Sequence, residues 1–157
     1  MGDLLVGDGA QCYRPVMYPI LLQAHSLFRW VVLVLAVSAV VVLGQAARQR
    51  DFGPPQRFVL LAYVISLDLM LVLGLGLYIT SPLVQAGLQN MGLGMKDATL
   101  RRFIIEHPFS MVIAIALAHV GNFKSKKEPT SRRARTAFVY VLVSFIVILL
   151  GMPWSRF

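Results

Sequence analysis

Arg101-Arg102-Phe103-Ile104-Ile105-Glu106-His107-Pro108-Phe109 opens an apolar run that continues to Gly121. An acid and an imidazole thus stand at the mouth of a segment that reads as a transmembrane helix. Ionisable groups at that depth are costly and usually face a bundle interior or a water-filled cavity. Asp97 is a good N-cap, so the helix should start there, with Ala98 in its first turn. Pro108 lies about two turns in. Having no N–H, it kinks or loosens the helix and frees a backbone carbonyl near residue 104. Glu106 and His107 sit beside that distortion.

The rest of the chain fits a membrane setting. Of 157 residues, 57% are hydrophobic and only 14% charged, with a mean hydropathy of +0.71. A soluble domain has roughly 45–50% apolar and about 25% charged residues. The net charge of +8 does not point to nucleic acid, because the basic residues gather in loops between apolar runs. Cys12, the single cysteine, has no partner for an internal disulfide and no metal-site spacing.

Residues 1–19 read as a polar N-terminal extension without the basic and apolar regions of a secretory signal. Met17 looks like a natural start, with 1–16 as an extension of the true chain. Residues 20–157 form a single domain of four apolar runs, about 20–44, 58–80, 98–121 and 137–153. Each approaches or exceeds the roughly 20 residues that a bilayer core requires. Backbone satisfaction in lipid makes them helices. The expected fold is all-α, a four-helix transmembrane up-and-down bundle.

The loops give its orientation. Arg48, Arg50 and Arg57 lie between the first two runs, and Lys124, Lys126, Lys127, Arg132, Arg133 and Arg135 between the last two. The positive-inside rule places these loops in the cytoplasm and both termini outside, although Arg101 and Arg102 pull the other way. The protein then belongs in a membrane as a multi-pass protein, with the lipid bilayer as its surroundings.

In this topology His25 and His107 both lie in the outer halves of their helices. Arg29 is one turn deeper than His25 on the same face. Asp68 falls near the middle of the second helix, at a depth that matches Arg29, and Glu106 is the other candidate partner for that arginine. His119 has no evident acid or second histidine at ligand spacing and reads as a buried or interfacial side chain. Met70, Met91 and Met95 show no clustering with histidine and read as loop or lipid-facing residues. Gly74 and Gly76 permit close helix packing, while Trp30, Tyr78 and Trp154 suit an interfacial belt.

His25-Ser26-Leu27-Phe28-Arg29-Trp30, Gly76-Leu77-Tyr78-Ile79-Thr80-Ser81-Pro82, Glu106-His107-Pro108-Phe109-Ser110-Met111 and Pro153-Trp154 together resemble a family. It comprises small bacterial four-helix membrane proteins commonly labelled cytochrome b-like. The resemblance covers about Met17 to Trp154. It implies b-haem electron transfer near the outer face, or a small subunit beside other respiratory-chain membrane subunits. Members carry a histidine in the second helix where this chain has Ser66-Leu67-Asp68, a departure that bears on any ligand from that helix.

Bis-histidine ligation of haem b needs two neutral imidazoles from facing helices at one depth, and four-helix bundles hold cofactors in this way. His25 and His107 meet the depth condition. Arg29, Arg101 or Arg102 would face the propionates, and Glu106 would orient a ring nitrogen or carry a proton. The alternative is a cofactor-free scaffold or accessory subunit, in which Arg29, Asp68 and Glu106 neutralise one another and fix helix register. A third reading is a small carrier or proton-conducting channel, with Asp68 as the titrating group. No hydrolytic or transferase signature is present, so any enzymatic role ends at electron transfer.

Overall fold

The computed structural model describes residues 8–154, with side chains from residue 17 onward. The expectations placed on Cys12, on residues 1–7 and on the last three residues lie outside these. The described residues form helices without a strand. The four long ones are α1 (Asp8–Gln49), α2 (Pro54–Thr80), α6 (His107–Lys127) and α7 (Thr130–Gly151). Two short helices, α3 (Pro82–Gln89) and α4 (Met91–Lys96), follow α2, and one turn, α5 (Ala98–Arg101), leads through a π-helical segment, Arg102–Glu106, into α6. Four stretches are long and apolar enough to cross a membrane, Met17–Gln49, Pro54–Thr80, Ala98–Lys127 and Thr130–Gly151. The fold is an all-α four-helix membrane bundle.

Helix α1 packs against α2 and α7, and α6 packs against α7 and more sparsely against α2. The four helices therefore close into a ring, with α1 diagonal to α6 and α2 diagonal to α7. The core along this ring is narrow because small residues line it. Ala36, Ala39, Ala114, Ala118 and Ala137 are completely buried. A Cβ on Gly121 of α6 would strike Tyr140 of α7, and one on Gly151 of α7 would strike Ser110 of α6. Without a hydrophobic drive between helices in lipid, such close approach is the main source of packing attraction. The large apolar residues instead point outward, as Val34, Val72, Phe109 and Leu150 do.

One polar knot ties the core of the bundle. The Tyr63 hydroxyl lies 2.8 Å from the Ser144 hydroxyl, which donates across 2.7 Å to the Ala114 carbonyl. Since the serine proton is committed to that carbonyl, Tyr63 donates to Ser144. Three helices are joined through fully buried groups, each satisfied, as apolar surroundings demand.

The helices outrun their apolar segments. Helix α2 starts at Pro54 and α7 at Thr130, and α6 runs to Lys127, because charged residues beyond the bilayer retain helical hydrogen bonding in water. Helix α1 reaches back to Asp8, into the stretch read as a polar extension. The segment read as a loop between α2 and α6 folds into α3 and α4. Ser81 caps α3 and Asn90 caps α4, each through its side chain. Gly87 and Gly94 both face Ile104 closely, so this helical pair rests on the π segment.

Candidate functional site

The end of the bundle that carries both α3 and α4 also carries the Glu-His-Pro corner. Asp97 caps the helical stretch as its side chain suggests, its Oδ1 accepting from the Leu100 N–H at 2.8 Å. Pro108 is accommodated by the π segment, in which the His107 N–H reaches the Arg102 carbonyl five residues back. The Ile104 carbonyl, which a normal residue 108 would bond, accepts instead from the Tyr78 hydroxyl at 3.0 Å. Proline thus creates an acceptor and α2 supplies the donor. Tyr78 serves this joint two residues from the end of α2, and Trp30 and Trp154 are exposed.

The two histidines meet across the α1–α6 diagonal. Their ring centres are 6.4 Å apart and their planes stand at 83°. His107 Nδ1 lies 3.0 Å from the Gly151 carbonyl. A carbonyl only accepts, so Nδ1 carries the proton and Nε2 is left as the nitrogen with a lone pair to offer. His25 Nδ1 is buried without a hydrogen-bond partner. A Cβ on Gly74 would stand 3.5 Å from Cε1 of that ring, so α2 forms a wall beside His25.

Burial is uneven along the bundle. No residue of α1 from Met17 to Val31 is buried, and none of α2 from Asp68 to Thr80. In the other half Ala36, Ala39, Leu43, Leu60, Tyr63 and Val64 are all enclosed. The buried residues of α1 and α2 therefore lie away from the histidines, whereas Ile104, Ile148 of α7 and Met152 just beyond it are enclosed at the histidine end.

The expected charge pairs are arranged differently. Glu106 Oε1 holds Arg101 Nε at 2.7 Å, and its second oxygen is 3.6 Å from Arg102 Nε. Arg101 also donates to the Met95 carbonyl and Arg102 to the Met152 carbonyl. Asp68 is held by His119, whose Nε2 lies 2.8 Å from Oδ1, and not by Arg29 as its depth suggested. Both side chains are about half exposed, at 47% and 48%, on the side where α2 and α6 meet. The acids thus satisfy partners of their own, and neither neutralises Arg29. That guanidinium lies 5.8 Å from the centre of the Trp30 ring.

His119 is therefore neither acid-free nor buried. The sequence set His119 two residues from the end of the run 98–121, far from the depth of Asp68; α6 continues to Lys127, and the two meet at one level. Helix rotation, which decides the partner, is not legible from depth alone. Among the described residues no group of three or more His, Cys, Asp or Glu could hold a metal ion together. No known family, curated protein or solved structure matches the chain.

Proposed function

We propose that the chain is a cytochrome b-like membrane protein holding one haem b between His25 and His107. The spacing of those two rings carries the reading. Two imidazoles that held one iron would each bring a nitrogen to about 2.0 Å from it, one from either side. The rings here are 6.4 Å apart. His25 Nδ1, a buried ring nitrogen without a hydrogen-bond partner, supports the reading, since two imidazoles are a donor set suited to haem iron.

Bound haem would supply one-electron transfer. His107 holds its tautomer through the Gly151 carbonyl, which fixes the ring orientation and leaves Nε2 as the nitrogen with a lone pair. Arg29, one turn beyond His25, provides positive charge on the same helix face, suited to a propionate. Arg101 and Arg102 are engaged by Glu106 and by backbone carbonyls, so they shape the rim of the site. Asp68 takes no part, because His119 holds it at the α2–α6 side; the departure in the second helix leaves the diagonal pair untouched. The site lies toward the outer face in the orientation given by the basic loops. An electron partner on that side, such as another respiratory-chain membrane subunit, belongs to the same proposal.

A second reading has its own observation. His107–Gly151, Arg102–Met152 and Tyr78–Ile104 bonds tie α6 to α7 and α2, which suffices for a structural latch in a cofactor-free accessory subunit. Single variants separate the two. After reconstitution with haem, His25→Ala and His107→Ala each abolish a low-spin visible spectrum under the first reading, while His119→Ala retains it. Under the second, no variant and no parent protein gives that spectrum, and His107→Ala lowers only stability.

A further inference from the structure

At the opposite end of the bundle a cleft of about 1120 Å³ runs between α1 and α7. Its rim is made by Arg48, Arg50, Arg132 and Arg135 and its floor by apolar residues, among them Val41 and Phe138. Among the described residues none of the four guanidinium groups forms an ion pair or side-chain hydrogen bond. Arg132 and Arg135 share one face of α7, across the cleft from the end of α1.

Arg50 adds an independent sign. It is the residue just past α1 and has φ 57, a left-handed conformation that any Cβ disfavours and that glycine normally fills. The Asp51 N–H reaches back to the Ala46 carbonyl at 3.1 Å, which closes the helix around this position. A guanidinium therefore stands at the rim where helix termination alone favours glycine.

The floor identifies the kind of ligand. Val40 and Val41 lie eight or nine residues inside the end of α1, so the groove runs about 12–14 Å along the helix from that end into its apolar segment. Val41 and Val139, both about half exposed, open it to the lipid side. A soluble anion would use the rim and leave the apolar trough empty. We propose that this groove binds an anionic phospholipid of the adjoining leaflet. Its phosphate sits among the four arginines, and an acyl chain runs along the valines and Phe138. Arginine suits phosphate through paired N–H donors, and basic pockets between transmembrane helices bind anionic headgroups. The positive-inside rule explains why arginines lie on this side; it does not explain their convergence around an apolar groove.

The test titrates phosphatidylglycerol, phosphatidylcholine or inorganic phosphate into the delipidated protein in neutral detergent. Thermal unfolding and native mass spectrometry provide the readouts. Phosphatidylglycerol is expected to raise the unfolding midpoint saturably and to remain bound about tenfold more tightly than phosphatidylcholine. Inorganic phosphate should leave the midpoint unchanged. Arg48→Gln with Arg135→Gln should weaken retention about tenfold, whereas Lys126→Gln with Lys127→Gln, an equal charge change outside the groove, should not. Val41→Trp, which fills the trough and keeps every charge, should also abolish the preference. Equal weakening by the lysine pair, or full retention in Val41→Trp, overturns the proposal in favour of diffuse charge. A matching midpoint shift from phosphate alone overturns it in favour of an ion site. If the arginine double variant fails to fold, the parent titration and Val41→Trp still decide the matter.

Discussion

The Tyr78 hydroxyl and the Ile104 carbonyl show how one residue type dictates another 26 positions away. Pro108 withholds the donor that Ile104 would use, and an unmet carbonyl in an apolar setting costs roughly 1–3 kcal/mol. Tyr78→Phe should therefore lower stability in detergent by about 1–2 kcal/mol. Pro108→Ala restores an N–H at residue 108, so the double variant Tyr78→Phe/Pro108→Ala should recover part of that loss. Unfolding midpoints of the two singles and the double form the cycle that measures it. Additive losses would mean that the carbonyl is satisfied otherwise. The Asp68–His119 pair obeys related logic. Removing one partner strands the other among lipid chains, so Asp68→Leu and His119→Leu should each destabilise more than their combination does. Much of the residue scale was legible. Asp97 named its helix start and Pro108 named the freed carbonyl within one residue. The partner of Asp68 was not legible, because pairing across helices depends on their rotation, which charge and depth alone leave open.

At the scale of helices, packing distance is set by the absence of side chains at a few positions. A Cβ on Gly121 would run into Cβ and Cγ of Tyr140, atoms close to the backbone that cannot swing aside. Gly121→Ala should therefore push α6 from α7 and cost about 1–3 kcal/mol. A Cβ on Gly74 meets only His25, at 3.5 Å, an ordinary contact. Gly74→Ala should be neutral, or stabilising by up to about 1 kcal/mol through helix propensity. Unfolding midpoints compared side by side test the contrast, and equal losses would contradict it. The long helices were legible as apolar runs, but their true ends were not. Hydropathy marks where lipid begins, whereas a helix such as α7 continues through charged residues for as long as its backbone bonds are made. The pair α3 and α4 was missed because each is too short to show periodicity, and their caps, Ser81 and Asn90, stand among residues that also suit a loop.

Across the whole molecule, polar chemistry separates toward the two ends of a narrow, small-residue bundle. One end holds the facing histidines under α3 and α4, and the other holds the arginine-rimmed groove. The number of helices and their alternation were legible from composition, because lipid permits few other solutions. The diagonal meeting of His25 and His107 was only half legible. Depth placed them together, while the closure of α1, α2, α6 and α7 into a ring brought the two rings within 6.4 Å. Orientation in the membrane is a separate expectation resting on the basic loops. A reporter fused after Trp154 should read outside the cytoplasm and one inserted near Ser125 inside, and the reverse would exchange the faces assigned to the two sites. A reduced-minus-oxidised visible spectrum of the purified, haem-reconstituted protein decides whether haem lies between the imidazoles. Sharp low-spin bands at about one haem per chain are expected, as bis-histidine ligation requires. A featureless difference spectrum, or a high-spin one, would contradict it.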